Sequence, residues 1–247
     1  MKARIDFHIH SCLSPCASLE MSPRTIVARA QAAGLDCIAL TDHGCTKNLP
    51  AFHAACAEAG MDCLYGIEAT SAEEVHVLCL FDSLEPALKF GEWIYESILD
   101  FPNAPEKFGE QPIISEDEEI LDFVEKLLFV ASSISFFDLV HAALEAGALC
   151  IPSHIDRSYS GAISQLGFLP DLPYSALEVV AKKIPKEAKK WPVVRFSDAH
   201  VPEQIGRRFT EVETESFSIE HLRLALIKLG ENKKKTGRAS TADGCSG

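Results

Sequence analysis

The chain has 247 residues, 47% hydrophobic and 24% charged, the make-up of a soluble globular protein; collagen-like, coiled-coil and natively disordered classes are excluded. This length suits one or two domains, or one closed α/β barrel of ~200–250 residues, and buries enough core to fold without disulfide or metal staples. Lys and Arg number 23 against 36 Asp and Glu, a net charge of −13, so no basic field attracts nucleic acid and an anionic ligand needs a local positive centre.

The first residues, Met1-Lys2-Ala3-Arg4-Ile5-Asp6, hold no apolar targeting core, and no run approaches ~18 apolar residues; neither signal peptide nor membrane span is expected, and the cytoplasm is the default compartment. A strand over 3–7 leads into Asp6-Phe7-His8-Ile9-His10, where a period of two puts His8 and His10 on one face. Ser22 as N-cap, Pro23 in the first turn and Gly34 as the stop frame a helix. A strand over 37–41 runs into Asp42-His43, and a helix over 50–60 follows. The strand over 62–67 ends at Gly66-Ile67-Glu68. The next, over 75–81, begins rather than ends with its histidine, His76, so either it runs the other way or its boundary is misplaced.

A helix over 83–99 precedes a stretch, 99–119, that breaks the rhythm with Pro102, Pro105, Pro112 and an acidic run at 116–119. It reads either as an insertion over one end of the core or as a solvated connector. A helix over 134–147 then leads to strands over 148–152, 176–180, 193–196 and 210–213; His154 follows the first of these and Asp198-Ala199-His200 the third. The alternation of strand and helix predicts a parallel α/β architecture, one barrel running to about residue 230. Residues 231–247, lysine-rich and then small and polar, are expected to be a disordered tail with Cys245 outside the fold.

Nine cysteines without regular spacing, several inside apolar runs, read as reduced thiols in a reducing compartment. Of nine histidines, His53, His141 and His221 fall in predicted helices and are read as structural or surface residues. The other six sit at strand ends with Asp42, Glu68 and Asp198. Side chains at the C-terminal ends of parallel strands converge on one face. Burying so many titratable groups is costly unless they share a cation, so a common metal site is expected.

The ordered set His8-x-His10, Asp42-His43, Glu68, His76, His154 and Asp198-x-His200 resembles the PHP superfamily, the polymerase and histidinol phosphatase domain, over positions 6 to 200. The resemblance implies a distorted seven-stranded β/α barrel with two or three divalent ions, Zn, Fe or Mn, at its C-terminal mouth, hydrolysing phosphoesters. It implies a first ion on His8, His10, Glu68 and Asp198, a second on Glu68, His76 and His154, and a third on His43 and His200. Cys16 stands where trinuclear members often carry another histidine; it is either a soft ligand of the third ion or a loop thiol. Asp42 is expected to accept the ring N–H of His43. Arg157, close behind His154, is a candidate phosphate clamp, whereas Arg195 and Arg207 read as surface residues.

The implied mechanism is hydrolysis by a hydroxide shared between two ions bridged by Glu68. Gly66-Ile67-Glu68 followed by Val75-His76-Val77 resembles the stand-alone phosphoesterases more than the polymerase-embedded domain. The expected substrate is a small phosphomonoester such as histidinol phosphate, a nucleotide bisphosphate or a short oligonucleotide end, with no long nucleic acid and no membrane as partner. Two alternatives are a metal-dependent C–N hydrolase, which typically needs a strand-end lysine that this chain lacks, and a degenerate metal-binding module.

Overall fold

The structure, a computed structural model, describes residues 1–239, with side chains as far as residue 231. In chain order it forms β1 (Lys2–Ile9), α1 (Pro23–Ala32), β2 (Cys37–Leu40), α2 (Leu49–Ala59), β3 (Asp62–Thr70), β4 (His76–Phe81) and α3 (Leu84–Ser97). There follow α4 (Pro105–Phe108), β5 (Pro112–Ile114), β6 (Ile120–Phe123), α5 (Phe136–Glu145), β7 (Leu149–Pro152), α6 (Ala162–Leu166), β8 (Leu177–Glu178), β9 (Val193–Val194), β10 (Thr210–Glu213) and α7 (Ile219–Ala239). Local chemistry sets several boundaries. The Ser22 hydroxyl accepts from Thr25 N at 3.3 Å, satisfying an orphan amide at the start of α1, and Pro23 occupies a position where its missing N–H costs nothing. Ser135 caps α5 in the same way, accepting from Asp138 N at 3.1 Å.

Six strands form a sheet in the order β10-β1-β2-β3-β4-β7. β1, β2 and β3 are mutually parallel, but β4 is antiparallel to both β3 and β7, and β10 is antiparallel to β1. The sheet is thus mixed rather than parallel throughout, and of the two alternatives for the strand that begins at His76, the one in which it runs the other way holds. The reason lies between β3 and β4, where Ser71 N donates to Val75 O at 2.9 Å in a tight turn, far shorter than the dozen or more residues a parallel crossover needs. The reversal also places His76. It pairs with Thr70, so the start of β4 lies at the C-terminal end of β3.

β8 and β9 form a separate parallel pair. Their ends are tied on one side to the loop after β7, through Ile155 N to Glu178 O at 3.0 Å, and on the other to β1, through His10 N to Ala199 O at 3.0 Å. The result is a mixed α/β fold, a curled six-stranded half-barrel flanked by helices.

One apolar cluster, with Ile38, Phe52, Ile67, Val77 and Leu139, packs helices on the sheet. A second holds Ile5, Phe7, Leu64, Leu78, Ile151 and Phe196. Continuing the period of two along β3 from Leu64 leads to Glu68, so the polar site stands on this second cluster. In β1 the pairing register slips between Asp6 and Ile9, which lets Phe7 join the apolar cluster while His8 and His10 join the site.

The stretch that breaks the rhythm is a wider excursion than 99–119. It runs from Ile98 to Ser132, which form an antiparallel bridge at its base beside the bond from Leu99 N to Ala131 O, 3.2 Å, and carries α4 and the antiparallel hairpin β5-β6. The buried Gln111 amide holds it together, donating to Val124 O and Lys126 O and accepting from Leu128 N. α7 runs past the boundary expected at residue 230, so 231–239 are helical; 240–247, with Cys245, lie outside the described residues. Among the described residues no helix is long and apolar enough to cross a membrane.

Candidate metal centre

Each strand delivers its site residue where its ladder ends. The β2-β3 pairing extends beyond the end of β2 as a bridge between His43 and Glu68 of β3, with Glu68 N donating to Asp42 O at 3.0 Å. His154 follows β7 with φ 29° and Asp198 follows β9 with φ 52°, left-handed conformations that turn both side chains off the strand direction. Such strain persists only where the surroundings enforce it, and it concentrates at functional sites.

Glu68 is the hub. Its Oε1 lies 3.2 Å from His8 Nε2, 3.2 Å from His76 Nδ1 and 3.2 Å from His154 Nε2, and its Oε2 lies 3.1 Å from His43 Nδ1 and 3.4 Å from His10 Nε2. Asp198 Oδ1 closes the other side, 3.2 Å from His8 Nε2 and 3.3 Å from His10 Nε2. His200 is partly exposed; its ring stacks on His10 at 4.2 Å and its Nδ1 lies 2.9 Å from Asp198 O.

These atoms face one another without hydrogen bonding: His8 Nε2, His10 Nε2, His43 Nδ1, His76 Nδ1 and both Glu68 oxygens are buried and unpartnered. Buried polar atoms left so would each cost about 1–3 kcal/mol, a debt that a shared cation removes. Four groups have the spacing to hold a metal ion: His8-His10-Asp198, His8-Glu68-His154, His43-Glu68-His76 and His10-His43-His200. The first contains three of the four residues expected to share an ion, and His76 Nδ1 and His154 Nε2, expected to share another with Glu68, both lie 3.2 Å from Glu68 Oε1. Cys16 belongs to none of the four and is exposed.

The electrostatics suit a cation. Burial lowers His10 to about 3, helped by His200, and burial with His10 as neighbour holds His43 well below the usual imidazole range. Burial works against the charge of Glu68 and of Asp198, but His8 and the other imidazoles outweigh it and hold both carboxyls well below the usual range. Neutral imidazoles and ionised carboxylates are the ligand state. His8 is the exception: against burial, Asp198, Glu68 and Glu178 raise its pKa well above the ordinary value.

A second layer holds the ligands. Glu178 Oε2 lies 2.9 Å from His8 Nδ1 and accepts from His154 N at 3.0 Å. Sequence reasoning missed it, for a lone Glu in a two-residue strand carries no motif. Asp42 does not accept the ring N–H of His43, which corrects that expectation. Its oxygens are taken by Ser11 N and Ser11 Oγ, each at 2.6 Å, and by Ser14 Oγ at 2.7 Å. Ser14 Oγ in turn meets His10 Nδ1 at 3.0 Å and accepts from His43 N at 3.1 Å. Arg157 Nη2 reaches Asp198 Oδ2 at 2.5 Å from a half-exposed side chain. Arg195 donates to Val179 O and Lys182 O, and His53, His141 and His221 lie apart, against Tyr65, Phe137 and Ser216.

Fold and site together define an α/β protein with a buried histidine and carboxylate cluster suited to metal ions. The family model of the PHP domain matches residues 6–184, and the chain belongs to that family. It is 39% identical over 93 residues to a 3',5'-nucleoside bisphosphate phosphatase from Chromobacterium violaceum, a match that covers 36% of this chain and 32% of that protein. The match therefore spans about a third of that relative's length. The fold is similar to that of the lesion-specific endonuclease Q of Pyrococcus furiosus, with a TM-score of 0.70 at 19% identity over 93% of this chain and 56% of that one. It is also similar to a protein from Bifidobacterium adolescentis described as a metal-dependent phosphoesterase, with a TM-score of 0.59 at 20% identity over 91% of this chain and 96% of that one.

Proposed function

We infer that this chain is a metal-dependent phosphoesterase acting on a small phosphomonoester, a nucleotide-like phosphate or a short oligonucleotide end. The observation that carries the reading is Glu68, a buried carboxylate faced by the nitrogens of five histidines at 3.1–3.4 Å. The Chromobacterium relative, a nucleoside bisphosphate phosphatase by name, supports the substrate class. In this reading residues 1–230 are one domain, a closed barrel of β1, β2, β3, β4, β7, β8 and β9, and the Ile155-Glu178 and His10-Ala199 bonds support the closure.

His8, His10, His43, Glu68, His76, His154, Asp198 and His200 hold two or three divalent ions, Zn, Fe or Mn, with Cys16 at most a peripheral donor. When bound, such ions neutralise phosphoryl oxygens and acidify water. The remaining work falls to the chain. Glu178 fixes the His8 ring, and Asp42 acts through Ser14 on His10. Arg157, half-exposed at Asp198, is placed to turn its remaining N–H groups to a phosphate oxygen. The net charge of −13 favours a small anion drawn to the local cationic centre over a long polyanion, which finds no basic track.

The test is metal analysis of the purified chain, with phosphate release from p-nitrophenyl phosphate, histidinol phosphate and a 3',5'-nucleoside bisphosphate after loading with Mn, Zn or Fe. Bound metal and turnover of at least one substrate are expected, with both lost in Glu68→Ala. Absence of metal and of phosphate release in the wild type overturns the reading.

A further inference from the structure

Asn48 stands at the N-cap of α2, a position where its side chain ordinarily bonds the first turn of the helix, yet it makes no capping bond. The residue is fully buried, and its amide is used elsewhere. Oδ1 accepts from Ile114 N at 3.0 Å and Nδ2 donates to Pro112 O at 3.3 Å, so the carboxamide pairs with β5 as a neighbouring strand would. The same Nδ2 donates to Ser11 Oγ at 3.1 Å. From Ser11 the hydrogen bonds run without a gap through Asp42 to Ser14 and on to His10 Nδ1.

Proton directions along this chain are fixed by chemistry. Asp42 only accepts, so the Ser11 and Ser14 hydroxyls both donate to it. Ser14 Oγ then has only lone pairs to offer His10, which must carry its proton on Nδ1. That leaves the His10 Nε2 lone pair aimed at Glu68 and Asp198. The excursion also bears on the loop that carries these serines. Ile114 packs against Cys12 and Ala51, and Gly109, at φ 101°, lies so close to Pro15 O that a Cβ there would collide with it.

We propose that Asn48 is a positioning residue that couples the seating of the 98–132 excursion to the setting of His10, so that the excursion is a fixed wall of the site whose docking favours ion binding. The inference rests on the reading of the cluster as a metal centre. Reciprocity supplies the test: if docking favours ion binding, ion binding must favour docking by the same factor.

Limited proteolysis of the full chain, read by mass spectrometry, is the measurement. Saturating Mn²⁺ slows cleavage within 98–132 severalfold in the wild type, and this protection is lost in Asn48→Ala. It is lost also in Ser14→Ala at Mn²⁺ occupancy matched to the wild type by metal analysis, although that variant leaves the bonds from Asn48 to β5 in place; a merely structural Asn48 would leave it protected. Asn48→Asp keeps an acceptor for Ile114 N but lacks the donors to Ser11 and Pro112, and it serves if circular dichroism shows that the alanine variant does not fold. Equal protection in the wild type and in folded Asn48 or Ser14 variants overturns the coupling. A wild type that takes up no Mn²⁺ overturns the metal reading beneath it.

Discussion

A single carboxylate oxygen, Glu178 Oε2, holds two of the candidate ligands, the His8 ring at Nδ1 and the backbone N–H of His154. An anionic acceptor behind an imidazole fixes its tautomer, raises its basicity and keeps the Nε2 lone pair aimed at the centre. Glu178→Gln keeps the shape but replaces the anion with a neutral amide. A loss of about 10–100-fold in metal affinity is expected, measured by competition with a chromogenic chelator. Unchanged affinity would mean that packing alone orients His8. The six clustered histidines, Glu68 and Asp198 were legible because each sits beside one end of an apolar run. Glu178 and Asn48 were not, because each acts through partners remote in sequence. Asp42 was legible as a residue but not in its role, since nothing in Thr41-Asp42-His43 shows that Ser11 and Ser14 fold back onto it.

At the scale of elements, the site depends on how closely β2, β3 and β4 approach beneath Glu68. Gly66 makes that approach possible: a methyl group there would lie 2.6 Å from Leu80 Cδ2, 2.9 Å from Thr41 Cγ2 and 3.1 Å from Cys79 O. Gly66→Ala must therefore push either β2 or β4 aside, and overpacking of this kind costs about 1–3 kcal/mol. A lower urea midpoint with an unchanged slope is expected, together with weaker metal binding, because Glu68 lies two positions along the same strand. An unaltered midpoint would show that the three strands yield freely. The strands themselves were legible from their apolar runs, but their directions were not, because periodicity carries no sign; only the shortness of the turn at Ser71 fixes β4 as antiparallel. The hairpin in the excursion was hidden for a different reason. β6 is exposed along its whole length, so no alternation of buried and solvated residues marks it.

Over the whole molecule, the strands β1, β2, β3, β4 and β7 and the segment after β9 each carry to one centre a residue whose electrostatic partners lie on other strands. Without a cation, the unpartnered nitrogens and oxygens of that centre are held in place only by packing and by the hydrogen bonds that Glu178 and Ser14 make to the far sides of the ligands. A cation bound there links the N-terminal strand, through His8 and His10, to Asp198 near the far end of the chain. The unfolded chain has no such preformed site, so ion binding adds directly to folding stability. At a free concentration one hundred times the dissociation constant, one ion stabilises the native state by about 2.7 kcal/mol. For a chain of this size that corresponds to a rise of roughly 5–11 °C in Tm. Chelator-treated protein titrated with Mn²⁺ or Zn²⁺ should show this rise in differential scanning calorimetry, increasing with the logarithm of the ion concentration. Glu68→Gln should flatten the dependence, since it keeps the side-chain volume but removes the charge that five histidines face. A wild-type Tm that ignores the ion would mean that the cluster is held by packing alone, and that its buried histidines are structural.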